Sequence, residues 1–542
     1  MTDAGQDTTG PSAAIPTGAG TTTRALAQAG LIVTVAIVAS RILGYLRYVV
    51  IGAAIHDVSQ LDAFFAAFRI PDLLFQLVAA GALSTALVPV VAGLVATGQQ
   101  HRAWRVASTI NTLMLGVLAV LALVVFVFAD VLVPPITEGL PPSAMAKTIE
   151  LTRIMVLSPL FLGAGAVATS VLQGNGRFVA AAVAPLVYNL AIIGAAVSLA
   201  PTLGVTGLAI GVVAGALGHV IVQVPALRRQ GSWIRLEADL RDDAARNTLR
   251  LLAPRAIGLG AVQVVFVVVT AIAAGLGAGA ITAFNFAFAL LQIPIGVIGV
   301  PLGIVLLPSL AREAATGGDE VFRRVLVRAL GLLAFVMVPI TGMGVVLAGD
   351  VVTLLFGHGG TARETLDLTA ATLAVFMLGL VGHAMIAVLA RAFYAIQDTR
   401  TPVAAALVAV GLDIVLAIVL ARPFGLPGMA GAMAVGAWVE TAVLAVLVVR
   451  RDEGLSLAPV GRSLILSTIV TVPGALVGWL VEGALVDALG PAPGFALLLA
   501  RTVIVSAVGG VVVLAGAAAL RIPELPAILS VMTDLVRRRG RA

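Results

Sequence analysis

Two arginines lie within a stretch of sequence that is otherwise apolar enough to cross a membrane. The segment "SRILGYLRYVV" carries Arg41 and Arg47. Burying an arginine near the middle of a bilayer costs about 2.5 to 3.5 kcal/mol on insertion scales, so such a residue marks a functional site by default. Guanidinium groups bind phosphate through two parallel hydrogen bonds, which favours arginine over lysine for phosphate recognition. We therefore predict an anion site at Arg41 and Arg47.

The next apolar segment adds charges of both signs. Asp62 and Arg69 are spaced by seven and so lie close to one helix face, and Asp72 follows Arg69 by three. Two hypotheses explain this polar stripe. The acids neutralise the arginines in a structural network, or the stripe lines a water-filled cavity through which a charged head group moves. The surplus of cations on the first segment favours the cavity.

The elements that position these residues follow from composition. Of the 542 residues, 60% are hydrophobic and 11% are charged, and the mean hydropathy is +1.10. These values lie outside the range of soluble globular proteins. Apolar runs recur from Leu26 to Leu520, which predicts an all-α polytopic membrane protein with about fourteen transmembrane helices.

Several kinds of chemistry are excluded by residue usage. The chain has no cysteine, which removes thiolate catalysis and Cys-ligated zinc. Its single lysine, Lys147, is not in a glycine-rich loop, so ATP hydrolysis through a Walker A motif is excluded. None of the five histidines falls at metal-ligand spacing. We predict a transporter that is not an enzyme and that needs no metal or other cofactor.

The distribution of arginine predicts how the chain sits in the membrane. Alternate loops carry most of the arginines, among them Arg102, Arg105, Arg177 and Arg400. By the positive-inside rule these loops and both termini are cytoplasmic. The net charge of +6 is spread over many loops rather than gathered on one soluble face, so binding of nucleic acid is not expected.

The chain also contains an internal repeat. Residues 88–105 and 307–324 both place Ala-Thr-Gly seven residues after a proline. In a second match between the two copies, the turn at Gly204 corresponds to the turn at Gly425. Both copies have the same orientation, which predicts two six-helix lobes in parallel pseudo-repeat around a central cavity, followed by two extra helices. The predicted organisation is a disordered cytoplasmic tail (1–24), a first lobe (25–227), an amphipathic cytoplasmic linker (228–250), a second lobe (251–450), two further spans (451–520) and a basic cytoplasmic tail (521–542).

Four segments resemble one known family. "ASRILGYLRYVVIGA", "LDAFFAAFRIPDLL", "GALSTALVPV" and "FYAIQDTRTPV" are similar to signature segments of the MurJ (MviN) lipid II flippases, within the superfamily of multidrug, oligosaccharidyl-lipid and polysaccharide exporters. The resemblance implies a multi-pass protein of the bacterial cytoplasmic membrane. It implies alternating access that moves a polyprenyl-diphosphate-linked peptidoglycan precursor outward, driven by membrane potential or an ion gradient.

The resemblance also implies roles for particular residues. Arg41 and Arg47 match cavity arginines of the first helix, Asp62 matches an aspartate of the second, and Arg69 stands at a basic position. The implied partners are the lipid-linked oligosaccharide, the bilayer and, as a further hypothesis, the cell-wall synthesis machinery. Asp62, Asp413 and Glu440 are candidate ion-coupling residues because they are acids within apolar spans.

Three positions depart from the family pattern. Phe75 and Ala289 stand where the family has arginines, and Ala80 replaces an acid. Either the clamp is rebuilt with Arg255 or Arg153, or the substrate is another lipid-linked glycan or a drug-like amphiphile exchanged for an ion. A third hypothesis is a non-transporting partner in cell-wall assembly. We favour the rebuilt clamp and lipid II.

Overall fold

The computed structural model describes residues 19–78, 82–230, 234–490 and 494–530. Within these ranges the chain forms helices, turns and irregular segments, and no strand. Most of the predicted terminal tails, residues 1–18 and 531–542, lies outside the described residues, as does Ala80. The first helix begins at Ala19, inside the segment predicted as a tail. The predicted domain boundaries stay a prediction.

The first lobe is built from eleven helices. In chain order they are α1 (Ala19–Ala54), α2 (Val58–Val78), α3 (Ala82–Ala96), α4 (Gln100–Leu132), α5 (Pro134–Thr137), α6 (Pro142–Met155), α7 (Ser158–Gly174), α8 (Phe178–Ser198), α9 (Ala200–Leu203), α10 (Val205–Ile221) and α11 (Val224–Arg228).

The second lobe and the two helices that follow it consist of ten further α-helices and one π-helical turn. They are α12 (Asp243–Ala274), α13 (Ala280–Pro294), a π-helical turn (Ile295–Gly299), α14 (Val300–Thr316), α15 (Asp319–Val346), α16 (Ala348–Phe356), α17 (Arg363–Met377), α18 (Leu380–Ala395), α19 (Arg400–Arg451), α20 (Ala458–Leu489) and α21 (Phe495–Ala519).

The all-helical membrane architecture predicted from composition is confirmed. Within the described residues, nine helical segments are long and apolar enough to cross a membrane, and α17 with α18, bent by 48°, forms a tenth. One of the nine is α19, whose 52 residues exceed the ~20 needed for one crossing and contain a non-helical Gly425. This segment therefore has the length of two spans, and the number fourteen stays a prediction.

The internal repeat is visible in the turns between helices. Gly98 and Gly317, from the two Ala-Thr-Gly copies, have φ of 74° and 71°. Gly204 has φ 57° and ψ −140°, and Gly425 has φ 60° and ψ −144°. L-residues with a side chain rarely adopt such conformations, so glycine at these places is a backbone requirement. The duplication thus extends to the conformation of individual turns.

Replacing Gly425 with alanine should lower the stability of the folded protein by about 1 to 3 kcal/mol. Apart from the adjacent backbone, no atom lies within 4 Å of the position of an added Cβ, so the cost comes from the backbone conformation. Gly411→Ala in the same helix is the matched control, because it also has open space around it and ordinary helical geometry. Thermal unfolding in detergent measures both. Equal unfolding midpoints for the two variants would contradict the requirement for glycine at position 425.

The two extra helices belong to the second lobe. Helix α20 packs along α15, and α21 packs on α20 and α16. Arg501 of α21 and Asp350 of α16 form an ion pair in which both side chains are almost fully buried, and Arg501 also donates to the carbonyl of Gly490 at 3.1 Å. Buried ion pairs hold a geometry only when both members are present. This pair fixes α21 against the second lobe.

The motif "QDTRTP" shapes the turn before α19. The carboxylate of Asp398 accepts hydrogen bonds from the hydroxyl of Thr401 at 2.7 Å and from the backbone N–H groups of Arg400 and Thr401. These bonds, and the neighbouring guanidinium of Arg451, lower the pKa of Asp398 to about 2. Asp398 therefore has a capping function at the start of α19.

Candidate functional site

Two adjoining cavities, lined by first-lobe residues and by Asn285 of the second lobe, share Arg47, Phe68 and Asp72. The smaller has a volume of about 180 Å³ and the larger one of about 340 Å³, and polar side chains line both. The smaller cavity is also lined by Tyr48, Ile51, Phe64, Phe65, Arg69, Ile192 and Asn285. The larger is also lined by Pro71, Phe75, Ser158, Leu162, Pro185, Tyr188 and His219.

Arg47 lies at the junction of the two cavities. Helix α1 packs against α8, which places the guanidinium carbon 5.2 Å from the ring centre of Tyr48 and 5.9 Å from that of Tyr188. Contact with aromatic faces orients a guanidinium without neutralising it. Arg47 also interacts electrostatically with the carboxylate of Asp72. The arrangement leaves an oriented cation facing both cavities.

Arg69 joins the two lobes. Its Nε donates to the hydroxyl of Thr270 on α12 at 2.9 Å, and its Nη2 donates to Oδ1 of Asn285 on α13 at 2.7 Å. Its guanidinium carbon also lies 5.5 Å from the ring centre of Phe266. Arg69 thus lines the smaller cavity while it bonds to the second lobe.

Asp62 caps a helix of the opposite lobe. Its carboxylate is fully buried and accepts from the N–H of Gly279 at 2.6 Å, the N–H of Thr282 at 2.8 Å and the hydroxyl of Thr282 at 2.7 Å. Gly279 is the N-cap of α13, so Asp62 satisfies N–H groups that a helix leaves unpaired. Asp62 therefore fastens α2 to α13 and does not line either cavity.

Arg41 lies apart from Arg47. It is exposed, and its Nη1 would lie 2.5 Å from a Cβ added at Gly296, so the glycine leaves room for the guanidinium against the π-helical turn. One turn along α1, the hydroxyl of Tyr45 donates to the carbonyl of Gln292 at 3.1 Å. Arg41 is thus at the seam between the lobes. The structure does not bring the two arginines into one pocket.

The remaining predicted residues lie elsewhere. Arg255 falls in residues 253–259, whose side chains lie outside the described part of the chain. Asp413 and Glu440 interact with each other across the two halves of α19, and Oδ1 of Asp413 is buried without a hydrogen-bond partner among the described residues. Arg153 pairs with Asp130 at 2.5 Å and donates to the carbonyl of Phe126 at 3.1 Å. Asp413, Glu440 and Arg153 do not line either cavity.

The lobes meet at one end of the bundle. We call this the arginine-poor end, where α1 ends and α2 and α13 begin, and the opposite end, with Arg102, the arginine-rich end. Besides the cap at Asp62, the hydroxyl of Thr361 donates to the carbonyl of Gly52 at 3.2 Å, and both groups are buried. Gly52 packs against the ring of Phe286, which stacks on Phe356 at 4.0 Å. The seam is closed at this end.

The sequence profile of the lipid II flippase MurJ family matches residues 51–515. The chain belongs to the lipid II flippase MurJ family. Among curated relatives, "Lipid II flippase MurJ" of Burkholderia cenocepacia is 31% identical over 417 residues, covering 75% of this chain and 80% of the relative. "Probable lipid II flippase MurJ" of Rhizobium tropici is 31% identical over 424 residues, covering 76% and 79%.

Solved structures share the fold. "Lipid II flippase MurJ, inward closed conformation" has a TM-score of 0.73 at 20% identity and covers 89% of this chain and 98% of its own. A multidrug resistance MATE family transporter of the MOP superfamily, in an inward-facing conformation, has a TM-score of 0.64 at 15% identity and covers 77% and 95%. The two-lobed architecture of the MurJ family is therefore present here.

Two of the departures from the MurJ family pattern lie in or near the cavities. Phe75 lines the larger cavity, and Ala289 is 7% exposed on α13. Asn285, one turn before Ala289, is the second-lobe residue that reaches the smaller cavity. Among the side chains described around these cavities, the cations are Arg47 and Arg69, both from the first lobe.

Sequence reasoning missed Tyr188 and His219. Both line the larger cavity, and Tyr188 flanks Arg47. A signal was present for Tyr188, because the chain has only four tyrosines and one of them falls inside the apolar run of α8. Its approach to Arg47 depends on the packing of α1 and α8, which are far apart in sequence.

Proposed function

We propose that this protein moves lipid II, a polyprenyl-diphosphate-linked peptidoglycan precursor, from the inner to the outer leaflet of the bacterial cytoplasmic membrane. The observation that carries the proposal is Arg47, an oriented guanidinium at the junction of two cavities inside a MurJ-family fold. Relatives named "Lipid II flippase MurJ" support the substrate. Transport proceeds without ATP hydrolysis.

Arg47 binds the diphosphate. Its planar guanidinium group offers two parallel N–H donors to phosphate oxygens, while Tyr48 and Tyr188 keep this group from rotating. Before substrate binds, the carboxylate of Asp72 balances the charge of Arg47, and the diphosphate takes over this role on binding. Arg69 joins the site when the lobes separate and its bonds to Thr270 and Asn285 are broken. Arg41 contacts the head group on its way along the seam, and Arg255 adds a cation from the second lobe.

Alternating access follows from the seam. The arginine-poor end faces outward and both termini are cytoplasmic, as the positive-inside rule indicates. The cap at Asp62 and the bond from Thr361 hold this end closed while the head group enters from the other side. Release outward requires the cap to break.

The driving force is membrane potential or an ion gradient. Asp413 and Glu440 are two interacting acids within α19, with a buried oxygen that has no partner among the described groups, and they are the second-lobe candidates for ion coupling. Asp62 is the candidate in the first lobe. Enzymes of cell-wall synthesis are proposed partners because they produce and consume this substrate.

A second candidate function is export of another lipid-linked glycan. The lack of arginine at Phe75 and Ala289 favours it, because the described cavity walls then contain cations from one lobe only. A substrate with one phosphate fewer would need fewer guanidinium groups. An antiporter of drug-like cations is less compatible with Arg47, since like charges repel.

Complementation tests the proposal. The chain is expressed in cells depleted of their own lipid II flippase, with Burkholderia cenocepacia MurJ as positive control and immunoblotting to confirm insertion. We expect growth to be restored. Absence of growth with a well-inserted chain would contradict lipid II as the substrate and favour another lipid-linked glycan.

A further inference from the structure

The segment between the two lobes crosses the surface of α4 as an irregular strap. We define the strap as residues 234–242, between α11 and α12. It contains no helix, and from Arg235 to Asp239 every second backbone N–H donates to a hydroxyl group of α4. The bonds run from Arg235 N to Ser108 Oγ at 3.0 Å, from Glu237 N to Thr112 Oγ1 at 3.0 Å and from Asp239 N to Thr109 Oγ1 at 3.1 Å.

Ion pairs fix the end of the strap that leads into α12. Arg102 donates to both carboxylate oxygens of Asp242 at 2.8 and 3.1 Å, and Arg105 lies 3.8 Å from the carboxylate of Glu237. The nearby side chain of Arg246 donates to the carbonyl of Leu240 at 3.2 Å. Two of the three acids of the strap, Glu237 and Asp242, are thereby paired with arginines of α4, while the carboxylate of Asp239 accepts the N–H of Arg241 at 3.0 Å. The strap is thus held to the first lobe.

The alternating hydrogen bonds leave the apolar side chains facing outward. Leu236 is 86% exposed, Leu240 is 50% exposed, and Ala238 between them is exposed as well. The intervening Glu237 and Asp239 are half-buried. A segment in water would show the opposite pattern, with its leucines turned inward. The outward apolar face therefore needs an apolar environment.

The depth of the strap matches the edge of a bilayer. Its deepest anchor is Thr112, and the sequence of α4 from Leu113 to Ala129 then has no charged residue. At 1.5 Å per residue this stretch spans about 26 Å, close to the ~30 Å of a hydrocarbon core. Lipid-facing side chains begin between one and two turns further along, at Val117, which is 51% exposed, and continue with Val120, which is 62% exposed. Leu236, next to this anchor, thus lies where acyl chains begin.

Cations surround this apolar face. Arg229, Arg235 and Arg241 are all exposed at the same end of the bundle. Among the described residues, Asp239 is the one acid of the strap that no arginine of α4 pairs with, and these three guanidinium groups outnumber it, so the surface has a net positive charge. Basic residues beside an apolar segment at a membrane surface attract anionic lipid head groups.

We propose that the strap is a binding site for anionic phospholipid, in which Leu236 and Leu240 enter the acyl region and Arg229, Arg235 and Arg241 bind head-group phosphates. The site is separate from the cavities around Arg47. It holds the connection between the lobes at the membrane surface.

Spin labelling of the full chain tests the contact with lipid. Because the sequence has no cysteine, Leu236→Cys carries a nitroxide at one place only. Val120→Cys is the lipid-facing control on α4, and Glu453→Cys, in the exposed loop before α20, is the aqueous control at the same end. The protein is reconstituted in phosphatidylglycerol and phosphatidylethanolamine, and the accessibility of each nitroxide to oxygen and to a water-soluble nickel complex is measured.

We expect the oxygen-to-nickel ratio at position 236 to exceed that at position 453 several-fold and to approach that at position 120. A ratio equal to that at position 453 would overturn the proposal, since the strap would then face water or a soluble protein partner.

A second measurement tests the selectivity for anionic lipid. The relative affinity for spin-labelled phosphatidylglycerol over phosphatidylcholine is compared between wild type and a double variant, Arg235→Gln with Arg241→Gln. The control, Arg324→Gln with Arg450→Gln, removes the same charge from exposed positions of the second lobe at this end. We expect the strap variant to lose most of the selectivity and the control to keep it. Equal losses would overturn the assignment to the strap.

Discussion

Replacing Arg47 with alanine is expected to abolish growth in cells that depend on this protein for lipid II transport. Its guanidinium is the cation shared by both cavities and is oriented by Tyr48 and Tyr188. Each hydrogen bond to a charged group contributes roughly 1.5 to 3 kcal/mol. Loss of two such bonds weakens head-group binding by about a hundredfold or more. Growth after depletion, with immunoblotting for membrane abundance, provides the measurement.

Two further variants make the Arg47 experiment specific. Arg47→Lys keeps the positive charge but loses the pair of parallel N–H donors, so we expect partial growth. Arg153→Ala is the matched arginine control, because Arg153 is paired with Asp130 away from both cavities. We expect it to grow like wild type. Failure of Arg153→Ala together with growth of Arg47→Ala would contradict this site and favour a clamp rebuilt around Arg153.

Replacing Asp62 with alanine is expected to open the arginine-poor end. The change removes an acceptor of three hydrogen bonds and leaves two N–H groups of α13 without a partner in the closed state. In the open state water satisfies the same groups, so only the closed state is destabilised, by roughly 3 kcal/mol or more. A shift of this size changes the ratio of the two states more than a hundredfold.

Distances between spin labels on the two lobes report this shift. Leu203→Cys on the first lobe and Asp367→Cys on the second are exposed positions at the arginine-poor end, in a chain without native cysteine. With Asp62→Ala we expect a longer distance to dominate. Asp57→Ala is the control, because Asp57 is an exposed acid at the same end whose carboxylate, among the described hydrogen bonds, accepts only from Ser59 and Gln60. An unchanged distribution with Asp62→Ala would show that the cap does not hold the seam.

The sequence was informative where a constraint is local. The repeated Ala-Thr-Gly motif predicted a duplication, and its two glycines, Gly98 and Gly317, adopt the same left-handed conformation. Gly204 and Gly425 were paired from spacing and have nearly the same φ and ψ. A turn that demands glycine leaves its mark in the sequence because no other residue fits. Helical membrane segments are predictable for a similar reason, since every backbone polar group must be paired within the helix.

The partners of charged residues could not be predicted in this way. The spacing of Asp62 and Arg69 indicated one polar face of α2, but not that Asp62 would cap α13 and Arg69 would bond to α12 and α13. Those partners come from residues over 200 positions away, brought close by the packing of the lobes. Sequence reasoning therefore found the residues and not the helices that they join.

The separation of Arg41 from Arg47 has a simple geometric cause. Six residues advance an α-helix by about 600°, which leaves the two side chains roughly 120° apart around the axis. Arg47 consequently faces the cavities while Arg41 faces Gly296 at the seam. A head group that moves along the seam would contact Arg41 first and Arg47 afterwards. This sequence of contacts replaces the single pocket expected from the two arginines.

Transport of fluorescent lipid II by the purified protein in vesicles tests the central claim most directly. Lipid II is placed in both leaflets, and a membrane-impermeant reductant bleaches the accessible pool with and without an imposed membrane potential. Wild type is predicted to bring the protected pool to the surface, whereas Arg47→Ala leaves it protected. A protected pool that persists with wild type, under conditions in which Burkholderia cenocepacia MurJ exposes it, would contradict the account.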